Sequence, residues 1–311
     1  MKVICSTVVR AAKQGDIHGG LYVIDIDSEE VLHYAPYEKD FINDNERGGE
    51  RGLRGIAVLS DRIIVADSAG FIELDKNTYE IKRTFQNSDY FKSIHEIVFH
   101  DDHIWATSTA HDAVAKVDLE FNIKGFWEIL GENAYNCKRL TGKKEITPEN
   151  KTGDDNYHIN SLFVSNGNLR VSGLLTPLYN FDDMVEVCAV PTISMLDGNP
   201  GGNEHSFLHN FYEYEDCSLI NMTSLKHIGI IKDGKETFVP VPATNLAHFS
   251  VDKIAENNWN RGLTKHDNLA IIGSSPARLM VLDINTGQFI HHVQLEKDVR
   301  HAIHGLEILE V

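Results

Sequence analysis

Six places along the chain carry side chains that bind metals or anions: Arg54, His95, His158 with Asn160, His209, Arg261 and His304. They recur at intervals of 41 to 63 residues. Each lies two residues before an apolar residue of a strand-like run, except that His158 lies four before Leu162. A period of two puts all of them on one strand face. Neutral imidazoles converging on one ion suit zinc, copper or iron rather than calcium or magnesium, which take oxygen ligands. Guanidinium groups pair with carboxylate or phosphate. The expected chemistry is a transition metal (Fe, Cu or Zn) held by His95, His158, His209 and His304. Arg54, Arg261 and Asn160 would bind a small anionic substrate. His95, His209 and His304, with the adjacent carboxylate of Glu96, form the expected catalytic set. His158 and Asn160 compete for the fourth repeat position, and the sequence leaves that choice open. The alternative to a site is a hydrogen-bonded polar plug, with Glu96, Glu307 or channel waters as partners.

The elements that must position these groups are strands. Four segments share one shape, an apolar run ending in Asp, a polar turn and a second run: GLYVIDIDSEEVLHY, GFIELDKNTYEIKR, AVAKVDLEFNIKGF and RLMVLDINTGQFIHH. HIGIIKDGKETFVPV is a weaker copy. Before each copy stands another strand–turn–strand segment, such as RGIAVLSDRIIVADS or NSLFVSNGNLRVSG. Alternation of period two bounded by polar pairs reads as hairpins. Four hairpin-linked strands repeated at this spacing predict a β-propeller. The C-terminal run HGLEIL lacks its companions, and the N-terminal runs KVICSTVV, GLYVIDID and EEVLHYAP supply them. The predicted fold is therefore all-β: a six-bladed propeller of four-stranded antiparallel blades over residues 1–311. The N-terminal strands pair with the C-terminal strand and close the ring, which removes unpaired edges. Seven blades is the alternative, because residues 176–207 are hard to thread.

On the same face the turns contribute Arg10, His18, His111, Ser275 and Arg278, with Ser68, Ser108, Thr223, Ser224 and Ser274 beside them. Segments 131–157 and 243–260 are aperiodic, run into His158 and Arg261, and are candidate lid loops; the second holds His248. The pair His100 and His103 falls in a hairpin at the opposite end and reads as a turn. A formal net charge of −17 argues against nucleic acid or an anionic membrane surface as partner. No run approaches a membrane span, and no secretory signal is recognised. Four scattered cysteines, Cys5, Cys137, Cys188 and Cys217, suit neither a disulfide framework nor a Cys-type zinc site. A cytoplasmic setting is expected, and the oligomeric state is open.

The stretches YHINSLFVSNGNLRVSGL, NRGLTKHDNLAIIGSSPAR and VLDINTGQFIHHVQL through HGLEIL resemble an uncharacterised bacterial family of six-bladed β-propellers. More loosely the architecture is similar to gluconolactonase-like and NHL-type propellers. The resemblance implies the fold and leaves function to the site. Three functions remain: a metal-dependent enzyme of oxidative, lyase or hydrolytic chemistry acting on a small carboxylate or phosphate, a non-catalytic ligand-binding or scaffold propeller, and a metal-free lyase or isomerase using the histidines as acid and base.

Overall fold

The Asp-terminated runs are hairpins held by their own side chains. Asp75 Oδ1 accepts the backbone N–H groups of Asn77 and Thr78 at 2.9 and 3.1 Å. Asp283 Oδ1 accepts those of Asn285 and Thr286 at 2.9 and 3.3 Å. Asp25 and Asp118 do the same. These Asx turns reverse the chain without any distant partner, which is why the motif is legible locally. His100 and His103 face each other across a tight turn in which Asp101 and Asp102 both have positive φ, as expected.

The computed structural model describes residues 1–39, 52–134, 137–150, 155–190, 208–244 and 256–311. β1 (Lys2–Val9), β2 (Gly19–Asp25) and β3 (Glu30–Tyr37) belong to blade I. Blade II holds β4 (Ile56–Val58), β5 (Arg62–Ala66), β6 (Gly70–Asp75) and β7 (Ile81–Gln86). Blade III holds β8 (Ile97–His100), β9 (His103–Ser108), β10 (Ala113–Val117), β11 (Ile123–Asn133) and β12 (Lys138–Glu145). Blade IV holds β13 (Ser161–Ser165), β14 (Asn168–Ser172), β15 (Leu178–Asn180) and β16 (Glu186–Cys188). Blade V holds β17 (Leu208–Glu213), β18 (Ser218–Met222), β19 (His227–Lys232) and β20 (Lys235–Pro240). Blade VI holds β21 (Leu263–His266), β22 (Leu269–Ser274), β23 (Arg278–Asp283) and β24 (Gln288–Gln294). β25 (His301–Glu310) pairs antiparallel with β1, giving blade I the order β25-β1-β2-β3. The protein is an all-β six-bladed propeller. The two ends of the chain complete one blade, as the sequence predicts, and no seventh sheet occurs among the described residues.

Two compact units divide the chain: Met1–Gln86 with Val241–Val311, and Asn87–Pro240. The first contains blades VI, I and II. Its core joins Val3, Cys5, Tyr22 and Ile24 to Leu279, Val281 and Ile303, and joins Ile4 and Leu21 to Ile56, Ile63 and Ile72. The second contains blades III, IV and V. There Trp105, Val114 and Ile129 meet Leu162, Val171 and Phe181, while Leu178 meets Leu208, Phe211 and Ile220. Burying each such side chain contributes about 1.5–3 kcal/mol. Inner strands are covered on both faces, as in β2 and β23, whereas the outer β3 and β24 alternate with solvent. That difference explains why the inner runs read as continuous apolar stretches.

Blade III departs from the four-strand expectation. Segment 131–157 is not a loop throughout: β11 runs on to Asn133 and β12 pairs with it as a fifth strand. Lys138, Arg139, Lys143 and Lys144 decorate this outer edge, and charge on an edge strand hinders pairing with another chain. The same charges hide the alternation from a sequence reading. Leu140 alone of β12 is buried, and its N–H donates to Tyr179 Oη at 3.2 Å. In the second expected lid, residues 245–255, with His248, lie outside the described residues. Next to them, the Asn258 N–H donates to Ser275 O at 2.6 Å.

Candidate metal centre

The repeated position is real and can be read from backbone register. The N–H of Arg54 donates to Ala66 O at 2.7 Å, that of Arg261 to Gly273 O at 3.0 Å, and that of Asn160 to Ser172 O at 3.2 Å. In blade III the N–H of His95 goes instead to the Thr107 hydroxyl at 2.9 Å. Asn160 therefore holds the blade IV position, and His158 precedes it by two residues.

His158 nonetheless reaches the other imidazoles. Its backbone is left-handed, with φ 51°, a conformation that persists only where surroundings impose it. Asp112 does so: its Oδ2 accepts the N–H groups of Asn156 and Tyr157, the latter at 2.8 Å. Burial pushes the Asp112 carboxyl up to about 6, and those amide bonds oppose the rise. One ring nitrogen each of His95, His158 and His209 then lie within 4.8 Å of one another. Ring centroids are 4.9 Å apart for His95–His158, 6.1 Å for His95–His209 and 6.4 Å for His158–His209. His95 and His209 are buried and the His158 side chain is 28% exposed, so the cluster is reached from the His158 side.

Each ring is oriented through Nδ1 by a different partner. His95 Nδ1 meets Ser93 O at 2.9 Å, His158 Nδ1 meets both Asp155 carboxylate oxygens at 3.0 Å, and His209 Nδ1 meets Thr223 Oγ1 at 2.9 Å. The carbonyl and carboxylate partners require an Nδ1–H on His95 and His158 and leave Nε2 as the lone-pair nitrogen that a metal ion takes, whereas the Thr223 hydroxyl can either donate to His209 Nδ1 or accept from it. Asp155 was missed in the sequence, although its spacing three residues before His158 is a visible signal.

Glu96 is not in the cluster. Tyr212 donates its hydroxyl to Glu96 Oε2, and Asn210 Nδ2 donates to the same oxygen at 2.9 Å. Asn221 Nδ2 in turn donates to Asn210 Oδ1 at 3.0 Å. Burial raises the Glu96 carboxyl to about 8, against the lowering effect of its Tyr212, Ile97 and Asn210 hydrogen bonds. The expected catalytic carboxylate is thus a member of a buried network, where desolvation favours its protonated form.

Other expected site residues have structural partners. Asn160 Nδ2 donates to Leu208 O at 2.9 Å and ties blade IV to blade V. Both ring nitrogens of His18 face backbone: Nε2 meets Lys13 O and Nδ1 accepts the Lys39 N–H, each at 2.8 Å. The Ser275 hydroxyl donates to Glu256 O, and His111 Nδ1 meets Ser108 Oγ at 3.0 Å. Arg10 stacks over Trp259 at 4.7 Å. Arg54 is buried, and its carbonyl accepts the Ser6 hydroxyl. His304 belongs to the first unit with Arg261, whose Nη1 lies 3.4 Å from His304 Nε2. It is not one of the three histidines of the described cluster.

Neither the protein-family models nor the curated proteins yield a match. Solved structures match in fold. A chain of the nidogen–laminin complex has a TM-score of 0.58 at 8% identity, covering 98% of this chain and 97% of that one. A catalytically inactive virginiamycin B lyase from Staphylococcus aureus, with quinupristin, has a TM-score of 0.48 at 12% identity, covering 80% and 72%. Apo AztD from Citrobacter koseri has a TM-score of 0.44 at 12% identity, covering 95% and 82%. The similarity to the nidogen–laminin chain concerns the fold alone. Among the described residues no helix is long and apolar enough to cross a membrane.

Proposed function

We propose that the protein is a metal-dependent enzyme that holds one zinc, copper or iron ion through His95, His158 and His209 and acts on a small anionic substrate. The observation that carries this reading is the convergence of three imidazoles, each turned by its own Nδ1 partner, with one ligand atom apiece inside 4.8 Å. Three protein ligands leave a coordination position for water or substrate, as catalytic rather than structural sites do. A bound cation attracts an anion directly, so no arginine is needed at the ion itself. Oxidative and lyase chemistry both follow from such a site, and the bound metal decides between them.

The experiment is elemental analysis of untagged protein purified without chelator, beside His95→Ala and His209→Ala variants. Near-stoichiometric metal that disappears from both variants while they stay folded supports the reading. No metal after anaerobic reconstitution with iron, copper or zinc overturns it. One observation favours a second reading: the 3.0 Å His158–Asp155 pair on the more exposed ring suits a general base in a metal-free lyase or isomerase. That reading requires activity insensitive to chelator and lost in His158→Gln.

A further inference from the structure

Arg278 opens β23 and lies directly opposite Gln294 of β24, with Met280 opposite His292 next along the same face. These side chains, with Phe289 and residues 242–244, line a cavity of about 360 Å³, inside the range of roughly 300–1,000 Å³ that small-molecule sites occupy. All of its lining belongs to the first unit.

Arg278 is 5% exposed. Its Nη2 donates to Pro242 O at 2.8 Å and to Asn258 Oδ1 at 3.4 Å, both neutral acceptors. Its Nε is buried without a hydrogen-bond partner, and so is Thr244 Oγ1 on the cavity wall. Among the described residues Arg278 has no carboxylate partner. Burial alone depresses its pKa. A guanidinium removed from water without a counter-charge is costly, and an anion beside it offsets the cost. The wall formed by Met280 and Phe289 is apolar, so an ion with a hydrophobic body fits better than a bare oxyanion.

We infer that this cavity binds a small monocarboxylate, its carboxylate against Arg278 and its apolar body against Met280 and Phe289. The inference is independent of the histidine cluster and is tested on full-length protein stripped of metal, so failure of one does not entail failure of the other. The probes are benzoate and its neutral analogue benzamide, titrated by calorimetry or ligand-observed NMR. Benzoate is expected to bind about tenfold more tightly than benzamide or better, because only it forms a charge-assisted pair. Arg278→Met should reduce benzoate to the benzamide level. Gln294→Glu sets a carboxylate opposite Arg278, within cross-strand reach; it should abolish benzoate binding, at the loss of the hydrogen bonds that Gln294 Nε2 donates to Ala277 O and Glu296 O. Equal binding of the two probes, no binding of either, or benzoate binding that survives Gln294→Glu overturns the inference. Should Arg278→Met fail to fold, the Gln294→Glu protein decides.

Discussion

In blades III, IV and V the residue after each repeat position is Glu96, Ser161 or Asn210; in blades II, VI and I it is Gly55, Gly262 or Gly305. The glycines bring backbones together. A Cβ on Gly305 would fall 2.2 Å from Arg54 O, and Gly262 has φ 73° with Ile303 Cγ2 3.1 Å from where its Cβ would stand. In the other unit, polar side chains take that place. Glu96, Asn210, Tyr212 and Asn221 form one buried network, while the Ser161 hydroxyl accepts the Phe211 N–H at 2.8 Å. One repeat position therefore serves two purposes. Beside glycine it belongs to tightly packed backbone, with Arg261 and His304 in contact. Beside polar residues it presents the His95 and His209 imidazoles to each other, and in blade IV the Asn160 carboxamide to Leu208 O.

The largest test of this contrast is metal content. His95→Ala, His158→Ala and His209→Ala should each lower bound metal from near one equivalent to below about a tenth, since a transition-metal site does not survive loss of one of three protein ligands. His304→Ala should keep it, and a His304→Ala protein without metal would break the division into two kinds of position. In the glycine half, Gly305→Ala should destabilise by about 1–3 kcal/mol in denaturant unfolding, the usual cost of forcing atoms into a filled space. Asp155→Asn should weaken metal affinity about 10–100-fold with unfolding unchanged, measured by competition with a chelating dye.

The buried network adds a pH dependence. Glu96 binds its proton more tightly in the folded chain, where burial pushes its carboxyl up to about 8, well above the usual carboxylate range. Stability of metal-free protein is thus fully present below the unfolded value and declines as pH rises toward 8, by at most about 1.4 kcal/mol per pH unit. Glu96→Gln should flatten this segment of the stability profile, and an unchanged slope would place the titration elsewhere. Ser161→Ala removes a hydroxyl that accepts the Phe211 N–H at 2.8 Å and donates to Phe211 O at 3.3 Å; it should cost about 1–3 kcal/mol, seen as a shift in the denaturant midpoint.

Much of the fold was legible because its signals are short-range. The Asx turns at Asp25, Asp75, Asp118 and Asp283 depend on neighbours within four residues. Strand alternation in β7 or β24 depends on one exposed face. The fifth strand of blade III escaped notice because a charged edge strand lacks that alternation. In the candidate site, the anchors were visible as recurring residue types, whereas the backbone partners of His18, Ser275 and Asn160 were not. A side chain of the right type near the right face still has to face inward, and theirs are held by backbone carbonyls or amides.

The sequence by itself determined the strands, their turns, the six-fold repetition and the positions where imidazole and guanidinium recur, since each follows from local periodicity. Only the tertiary structure decided which imidazoles meet. His158 stands two residues off the repeat and reaches His95 and His209 through a left-handed backbone anchored by Asp112, 45 residues before Tyr157. Asn210 is the bulged residue of β17 that joins the network of Glu96, 114 residues earlier in the chain. Contacts over such separations depend on the register of whole blades, and a period of two carries no information about that register.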